Sequence, residues 1–215
     1  MIALNPLDAF ITAHTELIAP PLVPEVRLHL ADDPRGIFDA AHAAMSDELS
    51  ARPYWAFAWP GGQALARHLI DTPRLVAGRR VLDLGAGSGL GAIAAMKAGA
   101  RSATAADIDP LSAAACVLNA AANGVTLAVT THDLLGREVD TDVILIGDLV
   151  YEPDLKDRVG LFLAAHIKRR VPIYYADRTS ARRPSGNFRL LAEHDAPLLP
   201  AMVEGFMERA RVWQL

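Results

Sequence analysis

The run Val81-Leu-Asp-Leu-Gly-Ala-Gly-Ser-Gly-Leu-Gly91 constrains this chain more than any other stretch. A short apolar segment, Arg80 to Leu84, enters glycines at 85, 87 and 89, and a helical pattern follows from Leu90 to Lys97. Glycines there let the backbone turn tightly from strand to helix and let a ligand approach with no Cβ in the way. The plainer reading is a tight turn with no ligand. The rhythm then repeats. Ser102–Ala106 reads as a strand, and Asp109-Pro110 supplies an N-cap and a first helical residue for a helix to about Asn123, stopped by Gly124. Val125–Thr130, Asp142–Ile146 and Val171–Ala176 read as further strands, and Phe206–Trp213 alternates enough to be another. Between them a helix from near Pro153 carries the stripe Leu155, Val159, Phe162, His166. Strands alternating with helices predict an α/β fold, a parallel sheet with helices on both faces, whose ligands bind at the carboxyl ends of the strands.

Residues 1–50 follow a different pattern. Asp8 to Leu17 can form a short helix, the prolines at 20, 21 and 24 forbid a continuous one, and a second helix is expected over about Pro34 to Leu49. This segment holds too little apolar material for its own core. The expected organisation is one domain, 1–215, with 1–50 as an N-terminal cap on a core of 51–215.

Composition removes several classes of function. Hydrophobic residues make up 52% and charged residues 21%, the balance of a globular chain. A formal net charge of −4 offers no global positive field for nucleic acid. The single Cys116 forms no internal disulfide and cannot alone anchor a zinc ribbon or an iron–sulfur cluster. The seven His show no metal-ligand spacing, and no nucleophile triad or phosphate-cradling Lys is visible, so no metal is expected. No run approaches the roughly 18 apolar residues of a membrane span, and the first residues lack a secretory pattern. A cytoplasmic protein, without membrane or nucleic-acid partners and monomeric, is the expectation.

The glycines do not fit the dinucleotide frame G-x-G-x-x-G, whose last position falls on Leu90 counted from Gly85 and on Ala92 counted from Gly87. Asp83-Leu-Gly-Ala-Gly-Ser-Gly instead resembles motif I of the class I, seven-stranded S-adenosylmethionine-dependent methyltransferases. Four successive strands end in or just before an acid: Asp83, Asp107, Asp133 and Asp148. The resemblance implies a Rossmann-like, seven-stranded, mostly parallel twisted sheet with S-adenosylmethionine as cofactor. Asp83, Gly85 and Gly87 would line its loop. Asp107, 22 residues after Gly85, would accept bonds from the ribose hydroxyls, with Ile108 against the adenine face. Asp133 matches the position that accepts from the adenine amino group, a surface-loop Asp being the other reading. Asp109 is read as a helix cap rather than a ligand contact.

Strand four ends Gly147-Asp-Leu-Val-Tyr151, which lacks the Pro-Pro of enzymes that methylate nucleobase amino groups or glutamine amides. Asp-x-x-Tyr resembles the protein-lysine methyltransferases of the superfamily and implies Asp148 and Tyr151 as catalytic residues, Tyr151 also touching the acceptor. The chain has only thirteen aromatic residues, yet Tyr54, Trp55, Phe57 and Trp59 fall within six positions. They read either as a hydrophobic plug beneath the cap or as a wall, Trp59 for the cofactor and Trp55 for the acceptor, offering a cation–π surface to a sulfonium or ammonium. Trp59-Pro-Gly-Gly62, Ala19-Pro-Pro-Leu-Val-Pro-Glu25 and Gly147 to Asp157 resemble the lysine methyltransferases of the electron transfer flavoprotein β-subunit, over about residues 15–180. That resemblance implies a protein substrate, the β-subunit; ribosomal-protein lysines, a small amine, or a cofactor-binding module without catalysis are the alternatives. Asp177-Arg178 partly matches the family's Asp-Pro-Gly-Arg, with Arg178 on the acceptor side and the Pro-Gly missing. Arg178, Arg182, Arg183 and Arg189 are expected in one loop, either a solvated face or a docking patch for an acidic region.

Overall fold

In the computed structural model, residues 5–44, 52–150, 153–178, 183–198 and 207–215 are described. The glycine-rich run folds as its composition dictates. Strand β3 (Arg80–Leu84) ends in a loop whose Gly85, Gly87 and Gly89 have φ of 69°, 52° and 80°, values that L side chains rarely adopt. Helix α4 (Leu90–Lys97) follows and Gly99, at φ 86°, closes it. Strand β4 (Ser102–Ala106) leads to α5 (Pro110–Ala122), where Asp109 caps the helix by accepting from the N–H groups of Leu111 and Ser112.

Strands β5 (Ala128–Thr130), β6 (Val143–Gly147) and β7 (Ile173–Asp177) continue the pattern, with α6 (Pro153–Lys168) between the last two. Strands β8 (Arg189–Pro197) and β9 (Met207–Gln214) close the sheet in the order β5-β4-β3-β6-β7-β9-β8. β3 to β7 run parallel, and β9 is antiparallel to both β7 and β8. The order reverses between β3 and β6, which puts the ligand crevice at their carboxyl ends.

The central strands are apolar on both faces because helices cover both. On one face Val81, Val143 and Leu145 pack with Ala64, Leu65 and Leu69 of α3 (Pro60–Asp71) and with Ala92 and Ala95 of α4. On the other, Leu82, Ile144, Ile146 and Tyr175 pack with Val159, Phe162 and Leu163 of α6. His166, on the same stripe, is wholly buried with both ring nitrogens engaged, at Phe162 O and at the Val139 N–H.

The N-terminal segment departs from expectation. Helix α1 (Pro6–Ala13) ends early, and Thr15 to Leu17, expected within it, belong to strand β1 (Thr15–Ile18), paired antiparallel with β2 (Leu28–Ala31). The hairpin wins because it buries Leu28, Leu30 and Ala31 completely or nearly so, a larger apolar gain than one more exposed helical turn. Helix α2 is described over Gly36–Ala44, beginning two residues after the expected Pro34; residues 45–49 of the expected helix lie outside the described ones. Phe10, Ile11, Ile37 and Ala41 pack with Trp55, Phe57, Leu111 and Ala115, so this segment shares its core with α5.

Candidate active site

One cleft of about 1460 Å³ opens along the carboxyl ends of the parallel strands, from Asp107 and Ile108 at one end to Asp148, Asp177 and Arg178 at the other. Asp83, Asp107 and Asp148 along it are fixed by backbone amides. Asp83 is buried, and its Oδ2 accepts from Ala92 N at 2.8 Å in the first turn of α4. Burial, with Asp107 nearby, pushes its carboxyl up to about 7 although the Ala92 N–H opposes this. A Cβ on Gly91 would lie 2.8 Å from that carboxylate, so the glycine after motif I makes room for Asp83. Asp107 Oδ2 accepts from Gly87 N at 2.8 Å and Oδ1 from Asp109 N at 3.1 Å. Burial raises its pKa against those two bonds. Cys116 lies beneath the same loop, its thiol donating to Gly87 O and raised far above the usual range by burial.

Asp148 repeats the arrangement of Asp83 one strand away. Its Oδ2 accepts from Gly61 N at 2.6 Å and Gly62 N at 3.2 Å, the first amides of α3. Pro60 at the first helical position needs no acceptor, and a Cβ on Gly61 would come within 2.6 to 2.8 Å of the carboxylate. Gly147 is equally constrained, since a Cβ there would meet Gly62 Cα at 3.2 Å. Trp-Pro-Gly-Gly is therefore a seat for Asp148, a role invisible while the two segments are read separately. Asp148 is also held at φ 49°, a conformation kept by its surroundings. Burial pushes its carboxyl up to about 6, Gly61 N–H and Arg178 opposing and Asp177 assisting. Leu149, next in the chain, lies over the glycine loop, its Cδ1 2.4 Å from where a Gly85 Cβ would stand.

The remaining expected residues divide. Ile108 is 47% exposed at the rim of the cleft, an unusual position for a large aliphatic side chain. Asp133 also lines the cleft, but its carboxylate is engaged by Arg158 of α6 and by Leu135 N. Burial works against it, yet these partners lower its pKa. Trp59 donates from Nε1 to Tyr54 O at 2.9 Å, and the Arg178 guanidinium lies 5.4 Å from its ring centroid while pairing with Glu208 at 3.0 Å.

Two expectations need correction. Trp55 backs the cleft wall but is 0% exposed, packed among Phe10, Ile11, Ile37 and Leu111, so it presents no face to an acceptor. Its Nε1 is buried with no partner among the described residues. Of the arginines expected in one loop, Arg178 and Arg183 do lie between β7 and β8, Arg183 stacked 4.6 Å from Phe188 and 4.0 Å from Trp213, but Arg189 is the first residue of β8, bonded to Gln214. Tyr151 and Arg182 lie outside the described residues. Among the described residues no cluster of His, Cys, Asp or Glu could hold a metal ion, and no helix is long and apolar enough to cross a membrane.

A family model described as ribosomal protein L11 methyltransferase (PrmA) matches residues 66–149. Among solved structures, a Synechocystis magnesium protoporphyrin IX methyltransferase with bound SAH is similar in fold, at TM-score 0.50 and 12% identity, covering 80% of this chain and 88% of that one. A Thermoplasma acidophilum structure matches at TM-score 0.50 and 20% identity, over 72% and 86% of the two chains. With the family model and the more similar relatives that follow, the fold and the glycine loop support a class I, seven-stranded S-adenosylmethionine-dependent methyltransferase.

Within that class it is 44% identical over 164 residues to the electron transfer flavoprotein β-subunit lysine methyltransferase of Xenopus laevis, covering 74% of this chain and 65% of that protein. The Homo sapiens protein of the same name is 39% identical over 160 residues, 73% and 60% of the two chains. The ribosomal protein L11 methyltransferase of Laribacter hongkongensis is 41% identical over a shorter 93 residues. The chain spans just under two thirds of the flavoprotein-directed relatives' length.

The residues present fit the cofactor of this class. The space above Gly87 is open, Trp55 Cα being the nearest atom to a Cβ built there at 3.8 Å, and Asp107 and Ile108 stand beside it at the cleft rim.

Proposed function

We propose that this chain transfers a methyl group from S-adenosylmethionine to a lysine amine of a protein, the electron transfer flavoprotein β-subunit. The observation that carries the reading is a single cleft joining the glycine loop to Asp148 and Trp59. Its support comes from the relatives named for that activity at 39 to 44% identity. Bound at the loop, the cofactor supplies an electrophilic methyl on a sulfonium. Asp107 would hold its ribose, Ile108 its adenine face, Asp133 its amino group, and Asp83, Gly85, Gly87 and Trp59 would shape the surrounding wall.

The chain's residues must align an amine with that methyl and exclude water. A lysine with a pKa near 10.4 is neutral about once in 2,500 at pH 7, a cost of about 4.6 kcal/mol. Apolar surroundings lower that pKa and a carboxylate raises it. Asp148 therefore works by binding and orienting the ammonium, whose proton leaves to water before attack, and Tyr151 would hold the amine through its hydroxyl. With Oδ2 committed to Gly61 and Gly62, Oδ1 is the atom left for this task. The same reading has the protein acting as a cytoplasmic monomer without nucleic acid, and the charge of −4 supports the last point.

The test is transfer of label from S-adenosylmethionine to purified β-subunit, with Asp148→Ala beside it. Label on a β-subunit lysine, lost in Asp148→Ala while calorimetric cofactor binding persists, is the expected result. Label confined to ribosomal protein or small amines would redirect the substrate. Equal loss of label and cofactor binding in the variant would move Asp148 to the cofactor side.

A further inference from the structure

Asp177 ends β7 beside Asp148. The β6–β7 register pairs Gly147 with Ala176, and Asp148 N donates to Ala176 O at 3.0 Å, so the two acids occupy neighbouring positions at adjacent strand ends. Both line the cleft. Asp177 is only 6% exposed, its Oδ1 accepts a long bond of 3.4 Å from Trp213 Nε1, and its Oδ2 is buried with no partner among the described residues. A buried carboxylate oxygen without a donor costs more than an ordinary hydrogen bond returns, so its presence calls for an explanation. The nearby cations do not supply one. Arg178 lies on Trp59 and pairs with Glu208, Arg183 is stacked between aromatic rings, Arg211 pairs with Glu193, and burial still raises the Asp177 pKa.

We infer that Asp177 Oδ2 receives an N–H of the acceptor's ammonium, so that Asp177 and Asp148 form an anionic pair at this end of the cleft that selects a cationic amine. This rests on the lysine reading above and adds a substrate-binding residue to it. An ammonium carries three donors. Asp148 Oδ1 and Asp177 Oδ2 can take two, and the third N–H, on the side the methyl will occupy, loses its proton to water beforehand and leaves its lone pair facing that methyl. One carboxylate would leave the amine free to swing about a single bond, whereas two at adjacent strand ends fix its lone pair in direction.

The experiment compares the full chain with Asp177→Asn, using purified β-subunit as acceptor and calorimetry with n-butylammonium chloride as a turnover-independent probe. Asp177→Asn is expected to raise KM for the protein acceptor tenfold or more, to weaken n-butylammonium binding by a similar factor, and to leave cofactor Kd within twofold. Unchanged KM and unchanged n-butylammonium affinity, with only the melting temperature lowered, would make Asp177 structural and overturn the inference. No n-butylammonium binding by the wild-type chain would overturn it as well. A wild-type chain that binds n-butylammonium through Asp177 but labels no protein lysine would sink the substrate reading and leave the cation site standing. Should Asp177→Asn not fold, Asp177→Ser is read the same way, and failure of both to fold assigns the carboxylate to the fold and overturns the inference.

Discussion

The two ends of the cleft are built on the same device but from different raw material. At the cofactor end, Asp83 seats on the first turn of α4 and Asp107 on the glycine loop, bonds that span 9 and 20 residues. At the acceptor end, Asp148 seats on the first turn of α3, across 87 residues, and Asp177 is reached by Trp213 across 36. In both, a carboxylate at a strand end takes helix-terminal amides, and a glycine gives it room. The local version is written in one motif. The long-range version exists only once the sheet has brought Trp-Pro-Gly-Gly against Gly-Asp.

The comparison can be broken at its seats. Gly61→Ala forces a Cβ onto the Asp148 carboxylate, and a displacement on the order of 1 Å at a reacting group costs about 100-fold in rate. Methyl transfer should fall by about that factor while cofactor Kd moves less than threefold; a variant with normal kcat would show that Asp148 need not be held there. At the other end, Asp107→Ala removes the charged bond to Gly87 and the proposed bonds to the ribose and should weaken cofactor binding by about 10- to 100-fold in calorimetry. Unchanged affinity would take Asp107 out of the cofactor site.

A pH experiment sharpens the shared feature. Asp83 titrates near 7 when folded against about 3.9 unfolded, so between those values the folded chain holds the extra proton. Its contribution to stability is greatest below pH 4 and declines as pH rises to 7, because the charged form is disfavoured by burial. Asp83→Asn, which is neutral throughout, should therefore gain in melting temperature relative to wild type between pH 5 and pH 8, by about 3 °C or more. A difference constant with pH would mean that Asp83 is not shifted. Comparison with wild type at each pH cancels the opposite trend from the half-buried His29 and His68, whose pKa values burial lowers. The smallest effect is expected at Trp55→Phe. It removes a buried indole N–H that has no partner among the described residues, so stability should change by less than about 1 kcal/mol and acceptor KM should not move. A raised KM would return Trp55 to the acceptor wall.

Much of this architecture was legible because its causes are local. The glycines at 85, 87 and 89 take left-handed values that few other residues tolerate, and Asp109-Pro110 caps α5 with its own side chain. What escaped was decided by partners elsewhere. Thr15–Ile18 suits a helix or a strand until Leu28–Ala31 offers it an edge. Strand β8, with mostly exposed or half-buried residues, shows no clean apolar face, and its pairing with β9 is what makes Arg189 a strand residue. Trp55 and Trp59 read alike in the chain, but one is enclosed by the cap and α5 while the other meets Arg178 at the cleft.

The sequence by itself determined the alternation of strands and helices from β3 to β7, the glycine turn and the acids at the strand ends, because these depend on backbone preference within a dozen residues. Only the tertiary structure decided which glycine seats Asp148, which tryptophan faces the cleft, and that Asp177 keeps a buried oxygen without a partner among the described residues. Those are properties of juxtaposition, set when packing brings together segments the chain holds far apart.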